Sequence, residues 1–170
     1  DDNNDYILEY KNKEYIEFNY NIRNEGFGKA VKERAHTLNH PAIWRKVLNE
    51  FPKLKICFAH FGGGSQEWQK EIVRLILDYD NVYTDLSCQI HLEKLEKIKE
   101  NYFMLDDAEH IKIRDRIMYG SDYFLNLLAG NDFENYYMNF KNTFSKEHFN
   151  HMSLAVPKAF LGLDHNEFKV

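Results

Sequence analysis

The chain has 170 residues, 44% of them hydrophobic and 29% charged, enough apolar material for one sizeable core and the make-up of an ordinary globular polypeptide. A formal net charge of −5, with no long run of Lys or Arg, excludes a general attraction to nucleic acid or to an anionic membrane.

In chain order, Ile16, Phe18, Tyr20 and Ile22 alternate along "EYIEFNYNI" and predict a strand, hairpinned with Tyr6 to Tyr10 through the Lys11-Asn12-Lys13 turn. "NEGFGKAVKERAHTLN" lacks apolar periodicity and reads as a long surface loop, so residues 1–38 form a strand and loop region distinct from the rest of the chain. Pro41 suits the first position of a helix, with Ile43, Trp44, Val47, Leu48 and Phe51 at helical spacing up to Pro52. Leu54 to Ala59 is short, apolar and bounded by Pro52 and glycines, which predicts a parallel strand buried on both faces. Ser65 then caps a helix with the stripe Trp68, Ile72, Leu75 and Ile76. A second strand, Asn81 to Ser87, leads into one helix carrying Ile90, Leu92, Leu95, Ile98, Tyr102 and Leu105. A third strand spans Arg116 to Asp122, and the rest is helical in pattern.

Strands alternating with helices imply an α/β fold with a parallel sheet and right-handed crossovers. Function in such sheets sits at the carboxyl ends of the strands. The residues found there are His60 with Gly62 to Gly64, Asp85 with Ser87, and Ser121 with Asp122.

His60 has two readings, a satisfied core side chain or a metal ligand or acid/base, and the glycines that clear space before its ring favour the second. Asp122 either caps a turn or shares a divalent ion with His60. Asp85 either closes its strand as a polar group or accepts a hydrogen bond from His60 or Arg116. Trp44 and Trp68 read as core. His91, His110, His148, His151 and His165 lack ligand spacing and read as solvated, while His36 and His40 sit in a loop able to cover the crevice, His40 being the more structural of the two. "FGGGS" before a helix is only a weak anion signal. Cys57 and Cys88 read as buried, reduced thiols of a cytoplasmic protein, without Cys-x-x-Cys spacing. No apolar segment reaches the length of a membrane span, and the acidic start is unlike a signal peptide.

"NHPAIWRKVLNEFPKLKICFAHFGGGSQEW", "YDNVYTDLSC" and "DRIMYGSDYF", in that order, resemble the C-terminal half of the amidohydrolase-related branch of the metal-dependent amidohydrolase superfamily. The resemblance runs from about Gly26 to Leu163, although Val156 stands where an asparagine is usual. It implies a (β/α)8 TIM barrel, with residues 39–170 as its C-terminal half, "AHFGG" ending strand six and "YGSD" ending strand eight. It further implies a metal-dependent hydrolase acting on a small carboxylic or cyclic substrate through a metal-activated water, with a divalent ion, zinc above all. The alternatives are a non-oxidative decarboxylase (a lyase) of the same family and a non-catalytic barrel relative used for protein binding. His60 then corresponds to the family's active-site histidine and a possible metal ligand, and Asp122 to its metal-binding, proton-shuttling aspartate. The family's His-x-His pair is absent from the sequence. With only Asp122 and His60 as donors, the chain alone is expected to bind metal poorly and to be inactive. A half-barrel also leaves sheet edges and an apolar face to be covered, by a homo-oligomer or by the missing half of the barrel.

Overall fold

The computed structural model describes residues 6–9, 15–18, 38–89, 91–124 and 132–163. The chain divides into two compact units, Asp1–Ile43 and Trp44–Val170. In the first, β1 (Tyr6–Glu9) and β2 (Tyr15–Phe18) form an antiparallel pair with Tyr6 opposite Phe18 and Glu9 opposite Tyr15, the hairpin that the alternation predicts. Tyr20, Ile22 and the predicted loop as far as His36 lie outside the described residues, as does His165. The helix expected from Pro41 opens as a 3-10 turn, Pro41–Ile43. His40 Nδ1 accepts from the Ala42 N–H at 3.2 Å, so its ring serves that turn.

The second unit is built on a parallel sheet of β3 (Ile56–Phe58), β4 (Val82–Asp85) and β5 (Ile117–Met118), in that order. The crossover from β3 to β4 is α2 (Gln66–Asp78), and that from β4 to β5 is α3 (Leu92–Tyr102) with α4 (Ala108–Arg114). Side chains alternate across the strands. Val82 and Ile117 enter the main core with Leu75, Ile76, Leu95 and Ile98. Tyr83 and Met118 point the other way, where with Cys57 they pack on Val156 and Phe160 of α7 (Val156–Leu161). Lys55 Nζ donates to the Ala159 and Phe160 carbonyls at 2.8 and 3.0 Å, satisfying the C-terminal end of α7. The apolar face that a half-barrel would leave bare is thus covered, along these strands, by the chain's own last described helix.

The strands are shorter than predicted. β3 is half-buried throughout instead of buried on both faces, because among the described residues it pairs only with β4. Ser65 caps α2 by accepting from the Trp68 N–H at 3.3 Å, and the predicted stripe holds, with Ile72, Leu75 and Ile76 at most 1% exposed. Trp68 is half-buried. Of the stripe expected in α1 (Trp44–Glu50), only Leu48 is buried; Trp44 is exposed and meets Phe58 edge-on, and Phe51 is exposed as well. Trp44, 36% exposed, is therefore not core. The single helix expected over Ile90 to Leu105 ends at Tyr102, with Leu95 and Ile98 buried and Leu92 and Leu105 exposed. Asp107 then caps a separate helix, α4, by accepting from the Glu109 and His110 N–H groups.

Beyond β5 come α5 (Phe133–Thr143), α6 (Lys146–Asn150), a π turn (His151–Ala155) and α7. Tyr119, Phe140 and Phe149 pack their rings at 4.9–5.5 Å, and the Tyr119 N–H donates to the Met152 carbonyl at 2.9 Å, which ties the exit of β5 to the π turn. No helix among the described residues is long and apolar enough to cross a membrane. Leu75→Ala, at a fully buried position, should lower unfolding stability by about 2–5 kcal/mol. Trp44→Ala should cost clearly less than Leu75→Ala, and urea denaturation of the two variants checks the difference.

Candidate functional site

At the end of β3 the backbone turns through five consecutive residues of positive φ, His60 (61°), Phe61 (44°), Gly62 (84°), Gly63 (60°) and Gly64 (87°). Gly62 is required: a Cβ there would stand 2.8 Å from the Gln69 backbone nitrogen and 3.1 Å from Trp68 Cβ. For His60 and Phe61 the left-handed region costs roughly 1–2 kcal/mol each, and it persists because neighbours hold both residues. The His60 N–H donates to Asp85 Oδ1 at 3.0 Å, the His60 carbonyl accepts from Gln89 Nε2 at 2.8 Å, and the Phe61 ring is buried against Tyr102.

Asp85, at the end of β4, does more than close a strand. Its Oδ1 accepts from the His60 N–H, from the Ser87 N–H at 2.9 Å and from the Ser87 hydroxyl. The Ser87 oxygen also stands 2.8 Å from His60 Nδ1. A serine hydroxyl has one proton, and a carboxylate only accepts. With that proton given to Asp85, Ser87 Oγ accepts from Nδ1–H, and the neutral ring keeps its lone pair on Nε2. Arg116 is not the partner of Asp85, since its guanidinium donates to the Asp80 carbonyl at 3.0 Å and lies over the Tyr83 ring.

His60 Nε2 faces Asp122 Oδ2 at 3.7 Å. Gly120 permits this approach of strand ends, because a Cβ there would come within 3.1 Å of Ser87 Cβ and 3.2 Å of Asp85 Cβ. The Tyr136 hydroxyl fastens the same two ends through the Leu86 and Gly120 carbonyls, at 3.1 and 2.7 Å, and burial raises its pKa. Cys88, which the sequence suggested was only a buried thiol, is half-buried beside these groups, and its Sγ donates to Asp122 Oδ2 at 3.1 Å. Burial, then the hydrogen bond and charge of Asp122, push that thiol up to about 12. Cys57 is also half-buried and pushed up to about 12, by burial first and Asp85 second.

His60, Cys88 and Asp122 offer one donor atom each within 4.8 Å of one another. Cys88 thus stands as a candidate third donor beside the two that the sequence suggests. Cys88 could have been noticed from its place after Ser87, at a strand's carboxyl end. These three residues and Phe61 are also the non-glycine residues with positive φ among those described. His110, His148 and His151 are engaged locally and are not simply solvated. His110 pairs with Asp107 at 2.7 Å, His151 with Asp115 at 2.8 Å, and the His148 ring packs on Phe103. His91 is exposed at the N-terminal cap position of α3 and makes no side-chain capping bond.

The amidohydrolase family matches residues 31–150, a span that contains all three strand ends. The chain belongs to the amidohydrolase family. No curated protein matches the chain, and no solved structure does. Amidohydrolases usually hold a divalent metal, and the donors here fit one. Zinc at its usual bond lengths sets N and O donors about 3.4 Å apart and S and O donors about 3.6 Å apart in a tetrahedral site; the separations of 3.7 Å for His60–Asp122 and 3.1 Å for Cys88–Asp122 come to within about half an ångström of that. Ser87→Ala should free the His60 ring from the Nδ1–H form, which long-range proton–nitrogen NMR of the imidazole would show as a shift of the proton towards Nε2.

Proposed function

We propose that this amidohydrolase is a metal-dependent hydrolase of small carboxylic or cyclic substrates whose centre includes His60 and Asp122. The observation that carries the reading is the orientation of His60: its ring is held through Ser87 by Asp85, and Nε2 faces the Asp122 carboxylate across the strand ends. A divalent ion, zinc by the borderline character of the donors, would supply Lewis acidity there, polarising a carbonyl and making water a nucleophile near neutral pH.

The chain's own residues do the rest. With its proton on Nδ1, His60 presents Nε2 as an acceptor, so it holds the ion or takes a proton and does not hand one to the substrate. Asp122 has a second carboxylate oxygen with which to take the proton that attacking water must lose and return it to the leaving group.

On this reading β3, β4 and β5 are the sixth to eighth strands of a TIM-type barrel, residues 39–170 form its C-terminal half, and further strands come from another segment or a second copy. Closing such a barrel would require α7 to leave Tyr83 and Met118, since that face becomes the interior. Asp122→Asn should keep the fold and lower turnover about 10²–10⁴-fold, measured by product analysis on a panel of small amides, lactones and carboxylic acids with the zinc-loaded protein. Full turnover in that variant would remove Asp122 from the chemistry, and release of carbon dioxide in place of a hydrolysis product would make the enzyme a decarboxylase.

A further inference from the structure

We infer that Cys88 is a third protein ligand, so that this chain by itself builds a nitrogen, sulfur and oxygen site selective for a borderline divalent ion such as zinc or cobalt over magnesium. The inference rests on the proposed metal centre and adds to it a donor and an ion class.

Three observations point to it. The Cys88 sulfur lies 3.1 Å from Asp122 Oδ2, and Cys88, His60 and Asp122 each offer a donor atom within 4.8 Å of the others, so Cys88 belongs to the group that His60 and Asp122 form. Its backbone is left-handed, with φ 56°, a conformation uncommon for a residue with a side chain, and a thiol is too weak a hydrogen-bond donor to account for it through Asp122 alone. The other thiol makes the contrast: Cys57 lies within β3, and its Sγ is 3.8 Å from Asp85 Oδ2, on a carboxylate already engaged by His60 and Ser87.

Chemistry then sets the ion. Magnesium and calcium take oxygen ligands, whereas imidazole and thiolate suit zinc and its neighbours. Three protein donors with a fourth position open is the arrangement of a catalytic zinc site, and the open position is where water or substrate binds. Binding forms a metal–sulfur bond, breaks the Cys88 S–H bond and releases that proton to solvent.

The test is a titration of the metal-free 170-residue chain with cobalt(II), read by the near-ultraviolet thiolate-to-cobalt charge-transfer band. One equivalent should bind with the band present, and zinc should displace it while excess magnesium should not. Cys88→Ser should abolish the band and weaken binding roughly 100-fold, at the upper end of what losing a mere supporting partner costs. Cys57→Ser should leave both unchanged. A band that survives in Cys88→Ser overturns the inference. Cobalt bound without any band also overturns it, yet leaves the centre of His60 and Asp122 standing if Asp122→Asn then loses the ion. An unaltered band and affinity in Asp122→Asn would instead sink the proposed function while retaining Cys88, and a chain that binds no cobalt would overturn the inference alone, since a chain with only His60 and Asp122 as donors is expected to bind metal poorly.

Discussion

The site depends on one carboxylate. Asp85 Oδ1 collects the His60 N–H, the Ser87 N–H and the Ser87 hydroxyl, and so joins the end of β3 to the end of β4. Hydrogen bonds to a charged acceptor contribute about 1.5–3 kcal/mol each net of solvation. Two such bonds offset the roughly 1–2 kcal/mol that each of His60 and Phe61 loses in the left-handed region. The balance favours the strained turn while Asp85 holds it. The same carboxylate, acting through Ser87, fixes which nitrogen of His60 is available. Fold and chemistry therefore meet in one side chain.

A second tie works at longer range. The Tyr136 hydroxyl, on α5, reaches the Leu86 and Gly120 carbonyls at 3.1 and 2.7 Å, fastening the ends of β4 and β5 from behind. The aromatic cluster beneath it, with Tyr119, Phe140 and Phe149, makes that tie rigid. The spacing of Asp122 from His60 is thus set by helices packed on one face of the sheet, while α7 packs on the other.

Much of this was legible in the sequence because the strands are apolar runs with sharp borders. Pro52 and the glycines frame β3, and the carboxyl-end rule then singles out His60, Asp85, Ser87 and Asp122 from residue types alone. Cys88 was passed over as a donor, since its left-handed turn carries no glycine to announce it and a cysteine after an apolar run looks like core. The helix α4 was missed because seven residues with one buried side chain, Ile113, give no periodicity to detect. Trp44 was misread for a related reason: periodicity identifies a face of a helix, but not whether anything stands opposite it. The pairing of His151 with Asp115, 36 residues apart, is invisible to any local pattern.

The position of a bound ion decides whether the strand ends form a metal centre. Crystals of the chain grown or soaked with zinc, with data collected on both sides of the zinc absorption edge, would locate it by its anomalous signal. A single peak about 2.0–2.2 Å from both His60 Nε2 and Asp122 Oδ2, with Ser87 still on His60 Nδ1, is the predicted result. A peak bound to Nδ1, or one placed away from the strand ends, would contradict it.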